Sequence, residues 1–315
     1  MYEKWKGVHT RCAFNMIQEL IPLTRPRTLA AALGPTILGA AFSYYAFGAA
    51  QGTGLAIFHT VLIFLAVVTA QIVANLWNEY KDFKSGLDAG QKVGNAGSIT
   101  RGVITPELII TMIKILMFVP IIIGLYLSAT ITWYYIPVGF LCILISFLYS
   151  GGPKPISRTP FGEISSGIAM GFAIVLITGY AWIRELSLAL LIPAIPSTLL
   201  VGSIMLTNNI RDIRNDESHG RHTLPIVLGR ERALSLMSIS YIFNFIWIIA
   251  WIIVGHMTWF TLLAFLATPL AFKTIHTLST NTDEFQLDKA MGTTAGAAMI
   301  YQLMWAVGLI MGKLI

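Results

Sequence analysis

The sequence predicts an all-α transmembrane fold, a bundle of nine helices that forms a single membrane domain over residues 1–315. The chain is 56% hydrophobic and only 11% charged, and its mean hydropathy is +0.72. A soluble domain of this length could not bury so much apolar surface, whereas a bilayer accommodates it. No polar linker divides the chain, so we expect one domain rather than two.

Nine apolar runs of spanning length follow one another along the chain. The third and fourth are separated only by Ser128, Thr130 and Thr132, so the count of helices is open by one. Prolines inside several runs predict kinked helices, which packing against neighbouring helices tolerates in a membrane. The runs lie at roughly 29–48, 54–77, 108–129, 131–150, 162–182, 187–207, 233–254, 258–275 and 291–311.

The 21 Lys and Arg residues predict which side of the membrane each connection faces. If the N-terminus is inside, most of them fall on inside connections, and the outside keeps Arg184 and Lys313. This asymmetry predicts a multi-pass protein of the cytoplasmic membrane, with the N-terminus inside and the C-terminus outside. It also accounts for the net charge of +6 without nucleic-acid binding. The N-terminal segment, 1–28, is expected in the cytoplasm or at the interface, where Trp5 and Phe14 would lie on the apolar face of a helix.

Two inside connections, 78–107 and 208–232, are long and contain most of the acidic residues, whereas the outside connections are short. Polar residues beside a bilayer need a functional reason. Function also concentrates in loops held by a rigid scaffold. We therefore predict that both connections are cytoplasmic active-site loops.

The first of these connections begins with an acidic cluster that continues directly from the second apolar run. If the helix persists, Asn78 and Asp82 are four residues apart and share one face. Gly86 allows the chain to turn and bring Asp88 back toward that face.

A second cluster continues the sixth run in the same way. Asn208, Asp212 and Asp216 form a stripe at positions i, i+4 and i+8, and Gly220 is expected to end the helix. The pattern Asn-x-x-basic-Asp occurs in both clusters, each at the inner end of a helix. This correspondence predicts a duplicated helical unit with one composite site between the halves.

Two facing rows of carboxylates with interleaved basic residues suit a metal-bridged polyanion. Mg²⁺ takes one or two carboxylates and completes its shell with phosphate oxygens, while basic side chains neutralise the phosphates. Such a site would stabilise diphosphate as a leaving group, so that an allylic C–O bond ionises to a carbocation shielded from water by apolar helices. The plainer interpretation of each cluster is a solvated helix face or a pair of helix caps.

Other segments have two interpretations each. Tyr149 to Lys154, with the sequence YSGGPK, closes the fourth run as a helix stop and rigid turn, or brings backbone, Tyr149 and Lys154 close to a ligand. Arg25, before the first run, orients the helix or contacts an anion. Glu163, near the start of the fifth run, contributes favourable helix-end electrostatics or takes a role in the site.

These motifs resemble the UbiA superfamily of intramembrane aromatic prenyltransferases. The segment from Asn78 to Asp88 is similar to the family's first Asp-rich motif, and the segment from Asp212 to Leu224 is similar to its second. Glu79 departs from the Asp that many members carry. The segment that begins with Arg25, RPRTL, and the YSGGPKP segment resemble one branch of the family, the 1,4-dihydroxy-2-naphthoate polyprenyltransferases of menaquinone biosynthesis.

The resemblance implies a UbiA-type bundle with a central cavity open to the cytoplasmic side. It also implies Mg²⁺-dependent transfer of a polyprenyl group from polyprenyl diphosphate to 1,4-dihydroxy-2-naphthoate, with loss of CO₂ and formation of demethylmenaquinone. The residues expected to hold Mg²⁺ and act in catalysis are Asn78, Asp82, Asp212 and Asp216. Those expected to bind the diphosphate are Lys81, Arg211, Arg214, Arg221, Lys154 and Arg25. Those expected to contact substrate are Tyr149, Asp88 and Asn208.

Two alternatives remain open at this point. The acceptor can be another molecule that this kind of enzyme prenylates: 4-hydroxybenzoate, a chlorophyllide, haem or a glycerol phosphate ether. A more remote alternative is a secondary transporter, which also has kinked helices and internal repeats. A transporter would place ionisable groups near the bilayer midplane, whereas here the acidic residues cluster with basic ones at one edge.

Overall fold

The computed structural model describes residues 20–86 and 97–315, and within these ranges the chain forms helices and turns without a strand. This confirms the all-α class. The expected N-terminal amphipathic helix and Asp88 lie outside the described residues. The long helices are α1 Ala30–Phe47, α2 Thr53–Ser85, α3 Pro106–Thr130, α4 Tyr135–Ser150, α5 Gly162–Ile183, α6 Leu188–Ser218, α7 Arg230–Ile253, α8 Trp259–Thr280 and α9 Glu284–Leu314.

Seven of these helices, α2, α3 and α5 to α9, are long and apolar enough to cross a membrane. The protein is therefore a multi-pass membrane protein. The other two predicted runs are also helical, α1 with 18 residues and α4 with 16. The third and fourth runs form separate helices, α3 and α4. A total of nine crossings stays a prediction.

The distribution of polar side chains fits a lipid environment. Large apolar side chains lie on the outer surface, for example Phe118 at 63% exposure and Phe140 at 68%. Polar side chains such as Thr207, Asn244 and Gln302 are fully buried inside the bundle. A protein in water buries the first group and exposes the second, so the surface of this bundle is suited to hydrocarbon.

Helices α2 and α6 are much longer than a bilayer requires. They have 33 and 31 residues, which corresponds to almost 50 Å at about 1.5 Å per residue, against a hydrocarbon core of about 30 Å. Their last turns contain 78–85 and 208–218, so the first parts of the two segments predicted as loops are helical. The spacing of four residues between the acidic side chains therefore does place them on one helix face.

Glycine ends α2 as the sequence predicts. Gly86 adopts a left-handed conformation with φ of +74° and donates its N–H to the carbonyls of Asp82 and Phe83. That conformation is strained for residues with a Cβ atom. Helix α6 ends at Ser218, two residues before Gly220, which has φ of +68°.

Two apolar clusters form most of the core. The larger one is formed by α1, α6, α7, α8 and α9. Its residues Leu38, Leu200 and Trp305 are fully or almost fully buried. The smaller one joins α2 to α3 around Leu76 and Ile109. The polar C-terminal ends of α2 and α6 thus belong to different parts of the core.

Helices α5 and α6 approach each other very closely, which fixes their relative position. A Cβ atom on Gly167 would lie 2.5 Å from the carbonyl oxygen of Thr198, and one on Gly171 would lie 2.5 Å from that of Ser197. The same segment of α5, Gly167–Phe172, is a π-helix, a local widening that is frequent at functional sites. Ser165 and other residues at the start of α5 are thereby held close beside α6.

Candidate active site

A cavity of about 150 Å³ lies between α1, α2, α4, α5 and α6, and it is bounded by one methionine of α9. Its size corresponds to several water molecules. Part of the wall is apolar and is made by Ile145, Met170, Val201, Ile204, Met205 and Met291. The polar part of the wall includes Arg25, Asn78, Tyr149, Ser166, Asn208 and Arg221.

Arg221 joins the two acidic clusters. Its Nη2 donates to Oδ1 of Asp82 on α2 at 2.8 Å, and its Nη1 lies 3.3 Å from Oδ1 of Asp216 on α6. Asp82 and Asp216 are buried, with exposures of 8% and 2%. Because buried carboxylates are costly without a partner, this arginine is a central stabilising contact. The C-terminal ends of α2 and α6 therefore face each other.

The turn after α6 places Arg221 between these carboxylates. The backbone N–H of Arg221 donates to the carbonyl of Asp216 at 3.0 Å, which folds the chain back over the end of the helix. The left-handed Gly220 precedes it. The sequence signal for this geometry was the Gly-Arg pair four residues after Asp216.

A second arginine, Arg211, holds the remaining acidic residue of the second cluster. Its Nε and Nη2 donate to the two carboxylate oxygens of Asp212, each at 2.7 Å, and Nη2 also donates to Oδ1 of Asn208 at 2.9 Å. Its Nη1 donates to Asp288 on α9 at 2.8 Å. Asp288 was not among the residues that sequence reasoning selected.

The two asparagines that precede the acidic stripes both line the cavity. Oδ1 of Asn78 accepts a hydrogen bond from the hydroxyl of Ser150 at 2.8 Å, and Asn208 accepts from Arg211. Ser150 ends α4, so this bond connects α2 to the turn that follows Tyr149. The hydroxyl of Tyr149 accepts from that of Ser166 at 3.4 Å.

Two buried glutamates organise the surroundings of the site. Oε1 of Glu79 accepts hydrogen bonds from the backbone N–H groups of Gly97 and Ser98, both at 2.9 Å. Oε1 of Glu163 accepts from Nδ2 of Asn209 at 2.8 Å. Glu163 is 5% exposed, so it acts inside the bundle rather than as a surface charge at a helix end.

Arg25 lines the cavity and has an unusual backbone conformation. Its φ is +50°, a left-handed conformation that is uncommon for residues other than glycine. The segment is held by α2, since Nδ2 of Asn75 donates to the carbonyl of Thr24 at 2.9 Å. Strained residues persist where the surroundings fix them, which is frequent at functional sites.

The structure does not bring all the predicted basic residues to the cavity. Lys154 is exposed and does not line it. Arg214 is exposed and borders a separate cleft with Arg211 and Arg230. Lys81 lies with its Nζ atom 5.0 Å from the ring centroid of Trp77. Asp88 lies outside the described residues.

The donor groups fit a magnesium ion that is shared with a phosphate ligand. Among the described residues, no three His, Cys, Asp or Glu side chains are grouped closely enough to hold a metal by themselves. Mg²⁺ usually takes only one or two carboxylates and fills its shell with water and phosphate oxygens. Oδ2 of Asp216 is buried and has no hydrogen-bond partner among the described residues, and it is the type of oxygen that such an ion prefers.

A family model identifies the chain. The model of the UbiA prenyltransferase family matches residues 32–306, a range that includes both acidic clusters. The chain belongs to the UbiA prenyltransferase family. It is therefore a prenyltransferase, and the resemblance inferred from the motifs is confirmed.

A curated relative of this UbiA prenyltransferase is the 1,4-dihydroxy-2-naphthoate octaprenyltransferase of Bacillus subtilis. The two are 35% identical over 303 residues, which cover 94% of this chain and 93% of the relative. The enzyme of the same name from Escherichia coli K12 is 26% identical and covers 96% of this chain and 99% of its own length.

Solved structures have the same fold. A UbiA homologue from Aeropyrum pernix K1 superimposes with a TM-score of 0.66 at 18% identity, over 90% of this chain and 97% of the other. A homologue from Archaeoglobus fulgidus, bound to GPP and Mg²⁺, superimposes with a TM-score of 0.59 at 16% identity, over 92% and 99%. At these identities the likeness establishes the UbiA fold.

Proposed function

We propose that this UbiA prenyltransferase transfers a polyprenyl group from polyprenyl diphosphate to 1,4-dihydroxy-2-naphthoate in a Mg²⁺-dependent reaction. The proposal is supported mainly by the bridge from Arg221 to Asp82 and Asp216, which joins the two acidic motifs beside a cavity that Asn78, Asn208 and Arg221 line. The choice of acceptor is supported by the name of the Bacillus subtilis relative, which matches nearly the whole chain.

The diphosphate end of the donor belongs at the carboxylates. Asn78, Asp82, Asp212 and Asp216 are the residues that would hold Mg²⁺, which when bound stabilises the negative charge of the leaving diphosphate. Arg221 reaches both the cavity and the carboxylates, and its planar group can donate two parallel hydrogen bonds to a phosphate. Arg25 adds a second positive charge in the cavity wall.

The apolar wall of the cavity suits the allylic part of the donor. Met170, Met205 and Met291 line it together with Ile145 and Ile204. Such a wall keeps water from a carbocation that would otherwise be hydrolysed. The ring of Tyr149 lies in the same wall, and its π face can stabilise positive charge.

The polar wall of the cavity suits the acceptor. The hydroxyls of Tyr149 and Ser166 contact each other at 3.4 Å and can orient the ring hydroxyls of a dihydroxynaphthoate. In the proposed reaction the C–O bond to diphosphate breaks, a C–C bond to the ring forms, and the carboxyl group leaves as CO₂. The organic product is demethylmenaquinone in its reduced hydroquinone form.

We also propose that the site faces the cytoplasm from the cell membrane. The basis is the excess of Lys and Arg on the connections at the end of the bundle where α2 and α6 terminate. Dihydroxynaphthoate would then reach the cavity from the aqueous side, and the released diphosphate would leave to the same side.

The direct test uses the purified protein in lipid nanodiscs with a polyprenyl diphosphate and dihydroxynaphthoate labelled in its carboxyl carbon. We expect equimolar prenylated product and labelled CO₂ with Mg²⁺, and neither after chelation by EDTA. Equal concentrations of 4-hydroxybenzoate and of a glycerol phosphate ether serve as competing acceptors. Prenylation of one of these in preference to the naphthoate would refute the assigned acceptor.

Variants test the assigned carboxylates in the same assay. Asp82→Asn or Asp216→Asn should lower kcat/KM at least 1000-fold, which corresponds to a loss of about 4 kcal/mol of transition-state stabilisation. The matched control is Glu217→Gln, which removes an exposed acid at the end of α6 and should leave turnover unchanged. Normal turnover in Asp82→Asn would defeat the proposed metal site.

A further inference from the structure

Asp288 is an acidic residue of α9 that takes part in the site through another side chain. Its Oδ1 accepts from Nη1 of Arg211 at 2.8 Å. It lies in the first turns of α9, one turn before Met291, which lines the cavity. A helix that carries neither acidic motif is thereby connected to the second motif.

Arg211 uses opposite parts of its guanidinium for the two acids. The edge with Nε and Nη2 grips both oxygens of Asp212 at 2.7 Å, while Nη1 points to Asp288. The side chain of Arg211 is only 8% exposed. Since the guanidinium is planar and rigid, its contact with Asp288 fixes the orientation in which it holds Asp212.

The sharing of one positive charge affects how Asp212 meets a cation. In an isolated pair, Arg211 would offset the charge of Asp212 and weaken its attraction for a divalent ion. Asp288 lies against the same guanidinium and offsets part of that effect, because its negative charge acts within a few ångströms in a poorly solvated region. The contact with Asp288 therefore holds Arg211 against Asp212 and adds negative charge beside it.

We propose that Asp288 is a positioning residue that anchors Arg211 from α9 and so sets the affinity of Asp212 for the divalent cation. The inference rests on the proposed Mg²⁺-diphosphate site. It predicts that loss of the Asp288 carboxylate weakens metal binding while leaving the maximal rate largely intact.

The experiment measures Mn²⁺ binding to the purified, full-length protein by electron paramagnetic resonance, with inorganic diphosphate present and no turnover. Asp288→Asn should raise the Kd for Mn²⁺ about tenfold, equivalent to about 1.4 kcal/mol. In the prenyl-transfer assay the Mg²⁺ concentration for half-maximal rate should rise by a similar factor, with kcat at saturating Mg²⁺ within about twofold of the unmodified protein. Asp288→Glu, which keeps the charge, should recover most of the affinity.

A matched control removes the same charge one turn earlier on the same helix. Glu284→Gln lies four residues before Asp288 in α9 and should leave both the Kd for Mn²⁺ and the Mg²⁺ requirement unchanged. Equal weakening in Glu284→Gln and Asp288→Asn would overturn the inference, because general charge near the site would then be the cause.

The outcomes separate this inference from the proposed function. If the unmodified protein binds no Mn²⁺ and forms no product, the proposed function fails. If it does both and Asp288→Asn binds Mn²⁺ as tightly, the role of Asp288 is refuted and the function stands. If Asp288→Asn does not fold, Asp288→Ser is measured in its place with the same expected tenfold change.

Discussion

At the scale of single residues, the site depends on two buried arginines that each hold two carboxylates. Arg221 connects α2 to α6 through Asp82 and Asp216, and Arg211 connects α6 to α9. Buried charges are tolerated when they are paired and become costly when one partner is removed. The same contacts therefore stabilise the ends of three helices and arrange the groups proposed to bind diphosphate.

Replacement of Arg221 by Gln tests both roles. We expect the KM for polyprenyl diphosphate to rise at least tenfold, since a charged hydrogen bond contributes about 1.5–3 kcal/mol. The free energy of unfolding should fall by about 3 kcal/mol, because two buried carboxylates lose their shared partner. Steady-state kinetics and chemical denaturation measure these effects. Arg232→Gln, at an exposed position of α7, is the control, and an unchanged KM in Arg221→Gln would remove Arg221 from the donor site.

The sequence predicted the side chains that follow local spacing and missed those that depend on distant contacts. Asp82, Asp216 and Arg221 were selected because spacings of four residues and a following Gly-Arg pair are visible in the chain. Asp288 was missed because its partner Arg211 is 77 residues away, and no local pattern connects them.

Helix geometry explains why one predicted basic residue, Arg214, lies away from the cavity. Arg214 was grouped with Arg211 and Arg221 by sequence. It is two residues after Asp212, however, and residues two apart in a helix do not share a face. It is exposed and borders a cleft away from the cavity, which Arg211 also lines while its guanidinium holds Asp212. A charge count alone cannot make this distinction.

At the scale of helices, the main difference from expectation is where α2 and α6 end. Hydropathy placed both ends near the last apolar residue, because polar residues terminate an apolar run. The backbone hydrogen bonds continue to Ser85 and Ser218, where glycines follow that permit left-handed turns. The helical pattern, rather than hydropathy, was the better guide to these ends.

The contact between α5 and α6 gives a prediction for stability. Gly171→Ala should lower the melting temperature and the rate of prenyl transfer, because the added Cβ would lie 2.5 Å from the carbonyl oxygen of Ser197 and must push the helices apart. Overpacking of this kind costs about 1–3 kcal/mol. Gly124→Ala is the control, since a Cβ atom there meets no other atom within 4 Å. Thermal unfolding in nanodiscs should therefore show a loss for Gly171→Ala only, and equal melting temperatures would contradict the close packing.

At the scale of the whole molecule, the sequence predicted the all-α membrane fold because composition and run length are properties of the entire chain. It did not predict how the two halves pack, which depends on the shapes of buried side chains. The cavity is built by residues from six helices and three segments outside them, and only their three-dimensional arrangement brings them together.

The proposed orientation can be tested by labelling single cysteines in cells. With Cys12 and Cys142 replaced by Ser, Glu217→Cys should react with a membrane-impermeant maleimide only after the cells are permeabilised. Glu185→Cys, at the opposite end of the bundle, should react in intact cells. Both positions are exposed in the structure, so accessibility within the protein does not limit the reaction. The reverse pattern would show that the protein has the opposite orientation.

The length of α2 and α6 has a consequence for how the proposed reaction proceeds. Because both helices continue past the thickness of the hydrocarbon layer, the diphosphate half of the donor would lie at the edge of that layer while its isoprenoid half lies within it. After bond cleavage the two products partition into different phases, the inorganic one into water and the quinol into the membrane. Their separation, together with the loss of CO₂ in the proposed reaction, would oppose recombination and favour transfer in one direction.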